Sequence, residues 1–127
     1  MDNTITQYDS RLDVIFLNEL YENDTEYASI VFQQFLDAYP QQLKEIEDFF
    51  ITGDINSFRQ KIHKLKPTFS FVGLTQMTAA ADIIENKCQN INQIEDVNDL
   101  YINFKSKLSE LIPVVESENE RFKNLIS

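Results

Sequence analysis

"DINSFRQKIHKLKPTFSFVG", residues 54–73, decides the fold of this 127-residue chain. Its apolar side chains fall at Ile55, Phe58, Ile62, Leu65 and Phe69. At about 100° per residue this three-four repeat puts all five on one face of an α-helix. Asp54 precedes them as an N-cap, and Gly73 closes the segment. Asn56, Arg59, Gln60, His63, Lys66, Pro67 and Ser70 fall on the opposite face. An amphipathic helix of this kind needs neighbours to cover its apolar side.

The rest of the chain reads as those neighbours. Upstream, residues 24–53, "DTEYASIVFQQFLDAYPQQLKEIEDFFITG", open with Asp24 as N-cap and Glu26 in the first turn. Tyr27, Val31, Phe35 and Leu36 form the expected inner face, resumed after Pro40 by Leu43, Ile46, Phe49 and Phe50. Pro40 either kinks one long helix or opens a second, and Gly53 ends it. Downstream, a helix capped by Thr75 carries Met77, Ala80, Ala81, Ile84 and Cys88, with three alanines at 79–81 that allow close packing. A polar loop, "QNINQIEDVND", leads to a last helix from about Val97 through Leu100, Phe104, Leu108, Leu111 and Val115 toward Phe122, bent at Pro113. A short first helix lies in "LDVIFLNEL", residues 12–20, with Leu12, Ile15, Phe16 and Leu20 at helical spacing. The expectation is an all-α protein, an up-down four-helix bundle with an extra short N-terminal helix, over residues 10–122. Residues 1–9 are polar and expected to be loose and flexible.

Composition points the same way. Two Gly and three Pro in the whole chain are too few for the many turns of an all-β fold. The formal net charge of −10 excludes a general nucleic-acid role, which needs a cationic footprint. A single cysteine, Cys88, allows no disulfide within the chain and fits a reducing cytoplasm. No apolar run reaches the length of a membrane span, and "MDNTITQYDS" lacks the pattern of a signal peptide. A cytoplasmic location without membrane contact is expected, whether the chain stands alone or is cut from something longer.

His63 is the only histidine, and the helical projection exposes it. An exposed histidine on a polar face is usually solvated surface, but this one has unusual company. Arg59, Lys61, Lys64 and Lys66 are four cations clustered around it in an acidic chain. Lys66, one turn on and on the same face, can meet an anion held on the imidazole. A phosphoryl group on a ring nitrogen is such an anion, because neutral imidazole is nucleophilic near pH 7. Lys61 and Lys64 lie off that face and read as solubilising surface, and the scattered acids as a solvated face. Other chemistries lack their residues. One His and one Cys far apart make no zinc site, Ser70 is too distant along the helix to form a nucleophile pair with His63, and two glycines make no phosphate-cradling loop for ATP. No metal and no cofactor is expected.

"IHKLKPTFSFVGL", residues 62–74, resembles the signature of histidine-containing phosphotransfer (HPt) domains, roughly His-x-Leu-Lys-Gly-small-small-x-x-aliphatic-Gly. His63, Leu65, Lys66, Val72 and Gly73 match in type and spacing, and Thr68 fits a small position. The flanking segments are similar to the family's preceding and following helices, so the likeness covers about residues 10 to 120. It implies a phosphorelay intermediate, not an enzyme. His63 would accept a phosphoryl group from the aspartate of a response-regulator receiver domain and pass it to another. Lys66 would steady the phosphate, with Leu65 structural. A hybrid sensor histidine kinase is a further candidate partner, and a monomer is expected. Docking is expected around Arg59, Gln60, Pro67 and Ser70, with Gln76 at the edge of the next helix. Pro67 replaces the family's usual Gly, and Phe69 a commonly small residue. The proline narrows the space beside the imidazole and deprives the His63 carbonyl of its helical N–H partner.

Two alternatives stand beside this reading. A histidine-kinase dimerisation helix also places a basic residue and a Pro after its His, but there an acid follows the His directly and the Pro comes five residues on. Here Lys64 follows and the Pro comes four on. The other alternative is an adaptor bundle that docks on receivers without transferring phosphate.

Overall fold

The computed structural model describes residues 7–127. Among the described residues it is helical throughout: α1 (Val14–Tyr21), α2 (Thr25–Thr52), α3 (Ile55–Ser70), α4 (Thr75–Lys87) and α5 (Asn98–Ile126), with two short 3₁₀ turns, Cys88–Asn90 and Ile94–Val97, between α4 and α5. The helices α2 to α5 pack as an up-down bundle, each against its sequence neighbour and α5 back against α2. Aromatic contacts record the alternation. Phe32 near the start of α2 meets Phe122 near the end of α5 at 4.9 Å between ring centroids, while Phe50 near the end of α2 meets Tyr101 at the start of α5 at 4.6 Å. No helix among the described residues is long and apolar enough to cross a membrane.

Local chemistry accounts for the boundaries. Asp13, Asp24 and Asp54 each accept a hydrogen bond from a backbone N–H in the first turn of α1, α2 and α3, worth about 1 kcal/mol apiece. Both glycines end helices in the left-handed region, with φ of 77° at Gly53 and at Gly73. The N–H groups of Asp54 and Leu74 reach back to the carbonyls of Phe49 and Phe69, which closes each helix with a Schellman turn. Gly73 carries a second constraint. A Cβ there would lie 2.7 Å from Leu17 Cδ1 and 2.8 Å from Leu12 Cβ, so the turn after α3 is the seat on which α1 rests. The Asp13 N–H donates to the Gly73 carbonyl, Thr75 Oγ1 to Asp13 Oδ2, and Tyr21 Oη to the Phe71 carbonyl. The short N-terminal helix thereby braces the α3–α4 connection.

The α3 face is as expected, with Phe58, Ile62, Leu65 and Phe69 fully enclosed. Several other expectations are corrected or narrowed to one of their alternatives. In α1 the buried residues are Leu17 and Tyr21, whereas Ile15 is 74% exposed; Leu12 is buried but lies before the helix, which starts at Val14. In the first half of α2 the inner residues are Ala28, Ser29, Phe32 and Phe35, and Tyr27 lies outside. Pro40 begins no second helix, since α2 runs through it, as α5 runs through Pro113. Thr75 is the first residue of α4, the cap position being Leu74 without a side-chain bond. The polar loop before α5 is pinned by buried Ile94 and Val97, and α5 continues past 122 to Ile126. Residues 1–6 of the segment expected to be loose lie outside the described residues. Within the rest of it, Tyr8 is buried with its ring edge-on to Phe122, and the Asp9 N–H donates to Glu118.

Candidate functional site

His63 sits in the third turn of α3 with its side chain 63% exposed. Its position follows from the α3 register: Ile62 and Leu65 point inward, and His63 between them points out beside α4. Nδ1 lies 2.6 Å from Oε1 of Glu85 on α4. The other carboxylate oxygen, Oε2, accepts from Lys66 Nζ at 2.7 Å, and the same ammonium donates to Asp82 Oδ1 at 3.1 Å. Nε2 of His63 makes no hydrogen bond among the described residues.

Glu85 is the group that sequence reasoning missed. Its side chain is 12% exposed, so it is no part of a solvated acidic face. Burial alone would raise its carboxyl, but hydrogen bonds from Lys66 and His63 outweigh burial and hold it below the usual carboxylate range. An ionised carboxylate only accepts, which puts the imidazole proton on Nδ1 and leaves the lone pair of the neutral ring on Nε2, facing solvent. Hydrogen bonds to Glu85 and then to Asp82 hold the Lys66 ammonium charged, raising it above the ordinary lysine value. One signal for Glu85 was present in the sequence. It stands four residues after Ala81 and three before Cys88, both buried, and so on the inner stripe of α4, where an acid needs a partner.

The remaining candidates divide into two groups. Arg59 and Gln60 join His63, Lys64 and Glu85 around an open cavity of about 270 Å³ between α3 and α4. Pro67, Ser70 and Gln76 lie beyond the imidazole toward the C-terminal end of α3. Pro67 stays within the helix and is exposed. Ser70 is only partly open and shares a hydrogen bond of 3.0 Å with Thr78 of α4, while Gln76 is exposed in the first turn of α4. Lys61 turns away and pairs with Glu45 of α2 at 2.6 Å. Among the described residues no cluster of His, Cys, Asp and Glu is placed to hold a metal ion.

The site is thus an exposed imidazole in mid-helix of a four-helix bundle, oriented from behind by a carboxylate. The sequence profile of the Hpt domain matches residues 31–118. The chain belongs to the HPt family. Members are phosphocarriers in two-component phosphorelays, and a phosphotransfer role in such signalling follows from membership. Among solved structures the fold is similar to the HPt domain of the Hpt sensor hybrid histidine kinase from Shewanella, with a TM-score of 0.73, 17% identity, and coverage of 84% of this chain and 91% of that one. No curated protein matches the sequence.

Proposed function

We propose that His63 is the phosphoacceptor, and that the protein takes a phosphoryl group from the aspartyl phosphate of one receiver domain and gives it to another. The observation that carries this reading is the division of labour on the ring: Nδ1 is held by Glu85 at 2.6 Å while Nε2 has no partner among the described residues. In the transfer, Nε2 of the neutral imidazole attacks phosphorus. The N–P bond forms as the bond to the aspartyl oxygen breaks, and the receiver leaves with its carboxylate restored. The ring proton stays on Nδ1, and Glu85 compensates the positive charge that develops on the imidazole. Lys66 has a third N–H beyond the two used on Glu85 and Asp82, and we assign it to steadying the phosphoryl group. The receiver supplies the aspartate and its metal; positioning and charge are nearly all that remains for this chain to supply.

Receiver domains are the partners this reading requires, docking around Arg59, Gln60, Pro67, Ser70 and Gln76. The relative from a hybrid histidine kinase is consistent with such partners. We further propose that the bundle is active as a monomer in the cytoplasm. The deciding experiment is incubation with a phosphorylated receiver, followed by a test for acid-labile, base-stable label on the chain. Label that is lost in His63→Gln supports the proposal. A chain that binds the receiver yet never takes label would be an adaptor, and the proposal would fall.

A further inference from the structure

We infer that Arg59 is a second phosphate-binding residue, holding the phosphoryl group of phosphorylated His63 within the cavity between α3 and α4. This rests on the assignment of His63 as phosphoacceptor and adds the group that receives the phosphate on the side of the ring away from Lys66.

The arrangement of charge carries the inference. A phosphoryl group on His63 brings about two negative charges next to the Glu85 carboxylate, and like charges at that distance repel. Lys66 offsets Glu85 but is already shared between two carboxylates, at 2.7 Å and 3.1 Å. Arg59 is not committed in this way. Its guanidinium donates to the neutral Asn56 Oδ1 at 2.9 Å and pairs with no carboxylate among the described residues. That leaves most of its five N–H donors for another acceptor.

Position agrees with charge. Arg59 precedes His63 by four residues, which puts the two side chains on one helical face, one turn apart. Both line the cavity of about 270 Å³, which is roomy enough for a tetrahedral phosphoryl group with water around it. Of the charged side chains lining that cavity, Arg59 and Lys64 are cationic and only Glu85 is anionic, so its sign is opposite to that of the chain at −10. Between the two cations, Arg59 is the better candidate. It is partly buried whereas Lys64 is exposed, and its planar fork can donate two parallel hydrogen bonds to phosphate oxygens where an ammonium acts as a point charge.

The test removes the receiver, so that docking does not enter. The full chain is phosphorylated with phosphoramidate, and ³¹P NMR follows the phosphohistidine and its titration. In Arg59→Gln the phosphohistidine resonance should titrate at higher pH than in the wild type, because a cation that favours the dianion is gone. Its hydrolysis rate should also change, about fivefold, as fits an exposed charge pair. Arg59→Lys should recover part of both effects, and circular dichroism should show all variants folded. An unchanged ³¹P titration in Arg59→Gln overturns the inference, even if transfer from a receiver is slowed, since Arg59 then serves docking alone. Label that persists in His63→Gln would instead sink the phosphoacceptor assignment, a separate failure.

Discussion

Two enclosed glutamates, Glu85 and Glu118, sit on the inner stripes of α4 and α5 and have opposite kinds of surroundings. Glu118, with its side chain 7% exposed, is bound by groups whose hydrogen bonds all end on the protein itself. Arg121 grips it with Nε to Oε1 and a second nitrogen to Oε2, both at 2.8 Å, and the Asp9 N–H donates at 3.0 Å. The same guanidinium ties down the Gln7 carbonyl at 2.6 Å, so the cluster staples the segment before α1 to the end of α5. Glu85 has a hydrogen bond on each carboxylate oxygen, but one of its partners is an exposed imidazole with a second nitrogen unspent. A buried carboxylate whose hydrogen bonds all return to the protein fastens chain to chain. One that holds a group with free valence toward solvent orients a reagent.

The comparison can be broken most directly at the ring. His63→Gln should abolish phosphorylation completely while changing stability by no more than about 0.5 kcal/mol, the usual range for an exposed position. A chemical denaturation curve measures the second half; a large loss there would show that the bond to the enclosed Glu85 carries stability as well as orientation. Glu85→Ala is next in size. Without its acceptor the imidazole loses both tautomer and orientation, and misplacement of a reacting group costs up to about a hundredfold in rate. Single-turnover transfer at saturating receiver should fall by about that factor, with Glu85→Gln intermediate because it still accepts from Nδ1. A wild-type rate in Glu85→Ala would leave Glu85 no better than Glu118 as a functional group.

Glu118→Ala supplies the opposite arm. It strands the Arg121 guanidinium and the Asp9 N–H, and the expected loss is about 2 kcal/mol of stability with transfer unaltered. A matching loss of transfer rate in the folded variant would show that the N-terminal staple reaches the site through α1 and Gly73. Lys66→Ala should slow transfer by roughly ten- to a hundredfold, a barrier increase of about 1.4 to 2.8 kcal/mol, and Lys66→Arg should regain part of it. If Lys66→Ala transfers at the wild-type rate at saturating receiver, the ammonium is only a tether for Glu85 and Asp82.

How much of this was legible depended on how sharply each helix separates its faces. In α3 the buried positions are all apolar and the outward ones, Pro67 apart, polar, so the buried set and the exposure of His63 could be read residue by residue. In α1 and the start of α2, apolar residues run all round the helix. Ile15, Tyr27 and Ile30 are exposed while Ala28 and Ser29 are buried, and periodicity alone has no means of choosing among them. Ser29 stays inside because its hydroxyl bonds Asn119 Oδ1 across the bundle at 3.3 Å, a partner ninety residues away. The same long reach hid Glu85 from the reading of the site. An acid among Ala81, Ile84 and Cys88 is visible as an interruption of the α4 stripe, but its two hydrogen-bond donors, His63 and Lys66, belong to α3, and the register between the two helices is a property of the packed bundle. Glu118, three residues after Val115 and four before Phe122, interrupts α5 in the same manner. Interruptions of this kind mark where to look for a partner without saying whether the partner is a staple or a reagent.

The smallest effect concerns pH. Glu85 is held below its ordinary value of 4.5, because the bonds from Lys66 and His63 exceed the effect of burial. In the unfolded chain it titrates in the usual range, so between the two values the unfolded state binds the proton and the folded state does not. The stabilisation linked to Glu85 is therefore fully present above the unfolded pKa and is lost as pH falls through the folded one. Urea denaturation followed from pH 6 downward should show stability declining through the acid range. Glu85→Gln should flatten part of that decline, because an amide carries no proton to take up. Asp9, held down to about 2 chiefly by its side-chain bond with Arg11, should keep part of the remainder in both proteins, alongside Glu45, Glu47 and Asp54, which hydrogen bonds also hold below their ordinary values. Its removal in Asp9→Asn should flatten a different part of the curve, with no consequence at His63. If wild type and Glu85→Gln lose stability in parallel between pH 6 and 3, Glu85 is not the ionised acceptor on Nδ1, and the tautomer that exposes the Nε2 lone pair has lost its support.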